Sequence, residues 1–272
     1  MKFLKALKVL ALSLPLIPML LFGSGKVLII QGSTTVLPIA QRAAEEFMKR
    51  HPGVEISVRG GGSGVGIAGL LDGTCDIAMS SRNMKPEELQ KAKERGFIPQ
   101  EIKIALDGIA VIVNPKNPLK GLTLSQLKEI YTGRVTNWKE LGWRDDKIVV
   151  VSRDSASGTF ECFNEIVLKK EPLTPRALYQ ASNKAIAVTV SNTRGAIGYI
   201  GIAYLEPKVK ALAVDGVMPS EETVRKGLYP ISRPLFFYLK GEPKGLVKEF
   251  IDFVLSSDGQ RLVREVGYIP VK

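Results

Sequence analysis

Between Val150 and Phe163 the chain reads VVSRDSASGTFECF, and Ser152 to Thr159 gathers four hydroxyls (Ser152, Ser155, Ser157, Thr159), the guanidinium of Arg153 and Gly158. Short hydroxyl donors beside a guanidinium suit a small anion. The planar fork of arginine matches a tetrahedral oxyanion with two parallel hydrogen bonds. The plainer alternative for Arg153 is a surface ion pair with Asp145 or Asp154.

Two other stretches repeat the chemistry: Gly32-Ser33-Thr34-Thr35 and Gly60-Gly61-Gly62-Ser63-Gly64. A further one, Ser80-Ser81-Arg82, adds two hydroxyls and a charge. The first backbone N–H groups of a helix lack intrahelical partners, and the helix dipole places about half a positive charge there. Glycine lets a ligand approach that backbone, and Ser or Thr adds a neutral donor, which together make an anion site. Each turn alone is equally well explained as helix capping, since Ser and Thr favour the N-cap of any helix. Their common position after apolar β-type runs favours a ligand, because open α/β sheets bind beyond the carboxyl ends of their strands.

Other chemistries fit less well. GVGIAG (Gly64 to Gly69) matches a dinucleotide pattern, but it lies inside an already glycine-rich turn, and no phosphate-loop Gly-Lys-Ser/Thr follows. A serine nucleophile needs a base. The single histidine, His51, lies in KRHPG and reads as a helix C-terminal residue. One histidine and two scattered cysteines, Cys75 and Cys162, argue against a transition-metal site. The cysteines lack framework spacing and are expected to be two buried thiols. Phe236, Phe237 and Tyr238 read as a buried strand and not as a platform for bases.

The elements that must hold these turns alternate. KVLIIQG, VEISVRG, CDIAMSSR, ALDGIAVIVNP, KIVVVSR and RPLFFYLKG read as strands. PIAQRAAEEFMKR, VGIAGLLDG, KPEELQKAKERG, TLSQLKEIYTG, GTFECFNEIVLK and KGLVKEFIDFVLSSDGQRLVREVG read as helices, the last as one long helix or a pair. Gly195, Gly198 and Gly201 are expected to allow tight backbone turns. Strand and helix in alternation predict an α/β sheet. No flexible linker separates domains, which one domain inserted in another through two strands would explain.

The chain has 272 residues, 45% of them hydrophobic and 24% charged, as a globular protein does. It opens with MKFLKALKVLALSLPLIPMLLFGSG: three lysines, an apolar run of about 14 residues and small residues, the layout of a secretory signal cleaved near Gly23 to Gly25. An uncleaved anchor is the alternative, though the run is short of the ~20 residues a span needs. The net charge of +11 includes Lys2, Lys5 and Lys8 of this segment. No Lys/Arg run is dense enough for nucleic acid or an anionic membrane.

GSTTVLPIA, GGGSGVG, DIAMSSR, YTGRVTNW, VSRDSASGTFECF and GAIGYIG resemble the phosphate-binding proteins of bacterial and archaeal phosphate ABC transporters, the PstS family. The resemblance implies a type II periplasmic-binding-protein fold, with two α/β domains joined by two crossover strands and a ligand cleft between them. It implies a signal peptide over 1–25, a first domain over 26–108 plus 236–272, and an inserted second domain over 109–235. It also implies an exported, monomeric phosphate receptor serving a membrane permease, with no catalytic residues, metal or cofactor. The implied phosphate contacts are Ser33, Thr34, Thr35, Ser63, Ser81, Arg153, Ser157, Gly158 and Thr159. Well-known members carry an aspartate where this chain has Ser81, and a second family acid is replaced by Ser155. A serine can accept the proton of hydrogen phosphate but does not repel sulfate as a buried carboxylate would. The alternatives are a receptor for another tetrahedral oxyanion such as sulfate or molybdate, and a secreted phosphoester hydrolase.

Overall fold

The computed structural model describes residues 27–272. The expected signal segment lies outside the described residues. Strand β1 (Val27–Gly32), helix α1 (Leu37–Arg50), β2 (Glu55–Arg59), α2 (Ser63–Asp72), β3 (Ile77–Ser80) and α3 (Pro86–Glu94) alternate as the patterning predicts. The 14-residue β4 (Gln100–Val113) follows. Next come β5 (Gly121–Leu122), α4 (Leu124–Thr132), β6 (Val149–Arg153), α5 (Gly158–Phe163), β7 (Leu178–Gln180), α6 (Asn183–Asn192) and β8 (Ala196–Gly201). The short β9 (Lys210–Ala211), β10 (Ala213–Val214) and α7 (Glu221–Arg225) lead into β11 (Ser232–Leu239), α8 (Gly245–Leu255), α9 (Ser257–Glu265) and β12 (Ile269–Pro270).

Local chemistry explains the boundaries. Helix α1 begins with a proline in its first turn, where the missing N–H costs nothing. It buries Ile39, Ala40, Ala43, Ala44 and Phe47 along one stripe. His51 caps it: Nδ1 lies 2.9 Å from Phe47 O, and the imidazole stacks on the Phe47 ring at 3.9 Å. Helix α4 opens with a capping box between Thr123 and Gln126 and ends at Gly133, whose φ of 83° suits glycine. The C-terminal pattern resolves into a pair of helices, broken at Ser256, whose hydroxyl accepts from Gly259 N at 3.2 Å.

The strands pair in the order β2-β1-β3-β11-β4-β8-β6-β7. Strand β4 serves two groups of elements. Its residues Gln100 to Gly108 pair antiparallel with β11, and Ile109 to Val113 pair antiparallel with β8. Two aromatic-rich cores follow from this. One, around Phe47, Phe237, Phe250 and Tyr268, packs α1 and α8 on the β1–β3–β11 side. The other gathers Tyr131, Trp138, Phe163 and Tyr199 on the β6–β8 side, with Phe163 and Tyr199 stacked at 4.1 Å. The molecule therefore has two α/β lobes: β4 runs through both, and the chain returns to the first at the start of β11.

One expectation is corrected here. Gly198 and Gly201 lie within β8, and Gly198 makes room for α6: a Cβ there would stand 2.7 Å from Ile186 and 2.9 Å from Val190. Close helix–strand packing, not a turn, explains this glycine.

Candidate anion site

The four stretches meet where the lobes face each other. β1 delivers Ser33, Thr34 and Thr35, and the turn after β2 delivers Ser63 at the first position of α2. β3 ends next to Ser81. β6 ends at Arg153, and the turn beyond it carries Ser157, Gly158 and Thr159 into α5. All nine residues are buried, Ser63 completely.

The contacts divide them. Thr35 Oγ1 and Thr159 Oγ1, from opposite lobes, are 2.9 Å apart. Ser63 Oγ accepts from Ser81 N at 3.0 Å and lies 3.3 Å from Ser81 Oγ. Gly158 sits against this pair so closely that a Cβ would stand 2.4 Å from Ser63 Oγ and 2.8 Å from Ser81 Oγ. Ser157 caps α5, accepting from Phe160 N at 3.3 Å. The first intrahelical bond there is Glu161 N to Ser157 O at 3.1 Å, so the Gly158 and Thr159 amides precede the helical ladder. Ser33 is used locally, its hydroxyl accepting from Thr35 N at 3.2 Å and Val36 N at 3.4 Å. Thr34 Oγ1 accepts from Asn183 Nδ2 at 3.2 Å, and Thr34 O accepts from Tyr204 Oη at 2.5 Å.

Arg153 does not pair with Asp145 or Asp154. Its Nε donates to Gln180 O at 3.0 Å and its Nη2 to Ala181 O at 2.9 Å. Asp154 instead accepts from Ala156 N at 2.9 Å, and Asp145 binds Asn137 and Lys139. Burial lowers the Arg153 guanidinium below its ordinary value, and the Arg233 charge acts in the same direction. A guanidinium nevertheless stays protonated in a protein.

Three residues of the site were not expected from the sequence: Asp107, Asn183 and Arg233. Arg233, fully within the protein, donates from Nε at 3.0 Å and Nη2 at 2.8 Å to Asp107 Oδ2. Its Nη1 donates to Ser81 O at 3.1 Å. Its Nη2 also reaches Thr159 Oγ1 at 2.9 Å and Thr35 Oγ1 at 3.3 Å. Burial pushes the Asp107 carboxyl up, opposed by Arg233 and by the Ile202 amide. A signal for the pair was available: Asp107 is the one charge of the run ALDGIAVIV and Arg233 that of SRPLFFYL, and a charge buried there needs a partner.

The lobes are also joined outside the hydroxyls. Gly64 N donates to Ala156 O at 3.0 Å, and Cys162 Sγ lies 3.5 Å from Ser81 O. Glu161 binds Arg82 Nε at 2.6 Å and Lys85 Nζ at 2.7 Å. Cys75 and Cys162 are both free, the first buried and the second partly so. Burial pushes the Cys75 thiol up to about 11.

A family model described as the PBP superfamily domain matches residues 23–258. The phosphate-binding protein PstS of Bacillus subtilis is 38% identical over 247 residues, 90% of this chain and 80% of that protein. The chain belongs to the PstS family of phosphate-binding proteins. A second relative of this PstS-family chain is the SphX protein of Synechococcus elongatus, 35% identical over 88% of the chain and 76% of its own length. A phosphate ABC transporter substrate-binding protein of Clostridium perfringens, solved with bound phosphate, superposes with a TM-score of 0.85 at 42% identity. That match covers 91% of this chain and all of the other. A phosphate transport receptor of Vibrio cholerae gives 0.73 at 35% identity, covering 89% of this chain and 99% of its own. The architecture of this PstS relative is the type II periplasmic-binding-protein fold, with β4 and the entry into β11 as the two crossovers.

Proposed function

We propose that this protein is an exported, monomeric receptor that closes on one inorganic phosphate ion and hands it to the membrane permease of an ABC transporter. The observation that carries the reading is the meeting of the Thr35–Thr159 and Ser63–Ser81 hydroxyl pairs, beside Arg153, between two lobes. The Clostridium perfringens relative with bound phosphate supports the identity of the ion.

In this reading Ser63, Ser81, Ser157, Gly158 and Thr159 donate to the anion through hydroxyls and first-turn amides, Thr35 supports Thr159 from the opposite lobe at 2.9 Å, and Arg153 faces the anion with a full charge. Ser33 and Thr34 shape the first turn, and their remaining hydroxyl protons complete the set. Closure is favoured because donors from both lobes satisfy the anion together. The first domain comprises residues 26–108 and 236–272, and the second 109–235. The change of partner along β4 at Gly108 and Ile109 supports the first boundary. Ser232 pairs with Gly108 at the same junction, so the second crossover falls in the first residues of β11, just ahead of 236. His51, the one imidazole of the sequence, is engaged with Phe47 in the first lobe's core and is not brought to the hydroxyls, which favours a receptor over a hydrolase that uses a histidine base.

Calorimetric titration of the ligand-stripped protein with phosphate, in buffer holding millimolar sulfate, tests the proposal. One-to-one binding that sulfate does not diminish is expected. No phosphate heat, or heat abolished by sulfate, would return the ligand to the wider class of tetrahedral oxyanions.

A further inference from the structure

The two threonines at the centre of the cleft have their lone pairs filled from behind. A hydroxyl has one proton to donate and two lone pairs that accept. Thr35 Oγ1 accepts from Asn183 Nδ2 at 3.0 Å and from Arg233 Nη2 at 3.3 Å. Both lone pairs are then occupied, so the Thr35 proton must be donated, and Thr159 Oγ1 lies within reach at 2.9 Å. Thr159 Oγ1 accepts that proton together with the bond from Arg233 Nη2 at 2.9 Å. Its own lone pairs are now full as well.

The donors that impose this order are themselves fixed. Asn183 Oδ1 accepts from Gly201 N at 3.1 Å, which turns the amide nitrogen toward the threonines. Asp107 Oδ2 holds the Arg233 fork at 3.0 and 2.8 Å, while Asp107 Oδ1 accepts from Ile202 N at 3.0 Å. One Nη2 hydrogen goes to Asp107 and the other is shared between the two threonines. Asp107 and Arg233 belong to the crossover strands β4 and β11, whereas Thr35 and Thr159 belong to opposite lobes. The whole chain of bonds is therefore complete only when the lobes are together.

We infer that Arg233, locked by Asp107, is a positioning residue that makes the Thr159 hydroxyl an obligate donor to the bound anion. The inference rests on the phosphate-receptor reading. It adds a specificity rule: the ligand oxygen facing Thr159 must be unprotonated, because that hydroxyl has no lone pair left to accept a proton. The Ser63–Ser81 pair is under no such constraint, since either oxygen can be the donor across their 3.3 Å contact. A protonated ligand oxygen is received on that side.

A double-mutant cycle on phosphate affinity tests the assignment, combining Arg233→Lys with Thr159→Val, with thermal melting of each protein as a folding control. Lysine keeps the charge for Asp107 but has no fork to hold the carboxylate and both hydroxyls at once. Arg233→Lys should weaken phosphate binding about tenfold in the wild-type background and less than about twofold beside Thr159→Val, because neighbours acting through one another are non-additive. Equal losses in both backgrounds would overturn the inference and leave Arg233 a structural residue. Should Arg233→Lys fail to melt cooperatively, Asp107→Asn with Arg233→Met, a pair without buried charge, takes its place in the cycle under the same criteria. A wild-type protein that takes up no phosphate would overturn the receptor reading itself, and the inference with it.

Discussion

Glu161 and Arg82 meet across the cleft at 2.6 Å, a carboxylate on α5 of one lobe and a guanidinium just after β3 of the other. Arg82 is only 6% exposed and is gripped from its own lobe by Glu88, whose oxygens receive Nη1 and Nη2 at 2.7 Å each. Glu161 also holds Lys85. The lobes are thus fastened at the edge of the cleft as well as at its hydroxyls.

Glu161→Gln weakens that fastening while leaving Arg82 paired with Glu88. Phosphate affinity is expected to fall about three- to tenfold, ~0.7 to 1.4 kcal/mol, through faster release. Stopped-flow displacement of phosphate reads the rate directly. An unchanged release rate would mean that the pair does not contribute to holding the lobes closed.

Arg153→Ala removes a buried cation whose fork is steadied by Gln180 O and Ala181 O. At least a tenfold loss of phosphate affinity, about 1.4 kcal/mol, is expected in a calorimetric titration. A smaller loss would show that the guanidinium serves only to tie β6 to the loop after β7.

Gly158→Ala inserts a methyl group 2.4 Å from Ser63 Oγ and 2.8 Å from Ser81 Oγ. Neither serine hydroxyl can retreat without losing its mate, so the lobes cannot approach as closely. Overpacking costs ~1–3 kcal/mol in closure, so phosphate binding should fall by roughly five- to a hundredfold. Gly142→Ala, at a surface turn away from the cleft with nothing within 4 Å, is the control: its φ of 84° makes alanine cost some stability there, but phosphate affinity should stay unchanged. Near wild-type affinity for Gly158→Ala would sink the placement of this glycine beside the anion.

Glu88 gives the acid limb of stability a definite sign. Burial would raise its carboxyl, but the Arg82 fork and the Lys85 amide outweigh this and hold it below the ordinary value of 4.5. A lowered folded value means stabilisation that is fully present above that pH and lost as the pH falls through the folded value. Glu88→Gln should therefore cost about 1–2 kcal/mol in urea unfolding at pH 7, the partly exposed position moderating the loss. The difference between wild type and variant should shrink once the pH drops below 4.5. A difference independent of pH would assign the cost to packing instead.

Much of the site is legible in the sequence because its parts are local. Ser33 to Thr35, Ser63 and the Arg153–Thr159 loop each follow an apolar strand, and glycine with hydroxyls at a helix start is a pattern confined to a few residues. Asp107, Asn183 and Arg233 are legible only in retrospect. Asp107 lies in ALDGIAVIV and Arg233 in SRPLFFYL, where alternation and apolar content speak of a core. Their partner is each other, 126 residues away. No local period reports such a pairing. Asn183 is hidden for another reason, since it looks like the polar first turn of α6 until Gly201 and Thr35 are seen on either side of it.

The position of β11 in the sheet has a consequence for the newborn chain. Its neighbours β3 and β4 are made early, yet the strand that must lie between them comes after the whole second lobe. A chain growing from its N-terminus therefore carries the first lobe as a sheet with a gap at its centre: Ile77 to Ser80 can pair with β1 on one side only, and Gln100 to Gly108 lack the β11 edge. The second lobe has its main strands by Gly201, and its core is finished by Leu212, Val214, Val224, Tyr229 and Ile231, all of them made before β11. The first lobe's sheet is thus completed only by a strand made after the second lobe, so the contact that closes it spans more than 120 residues of sequence, the kind of long-range pairing that forms slowly.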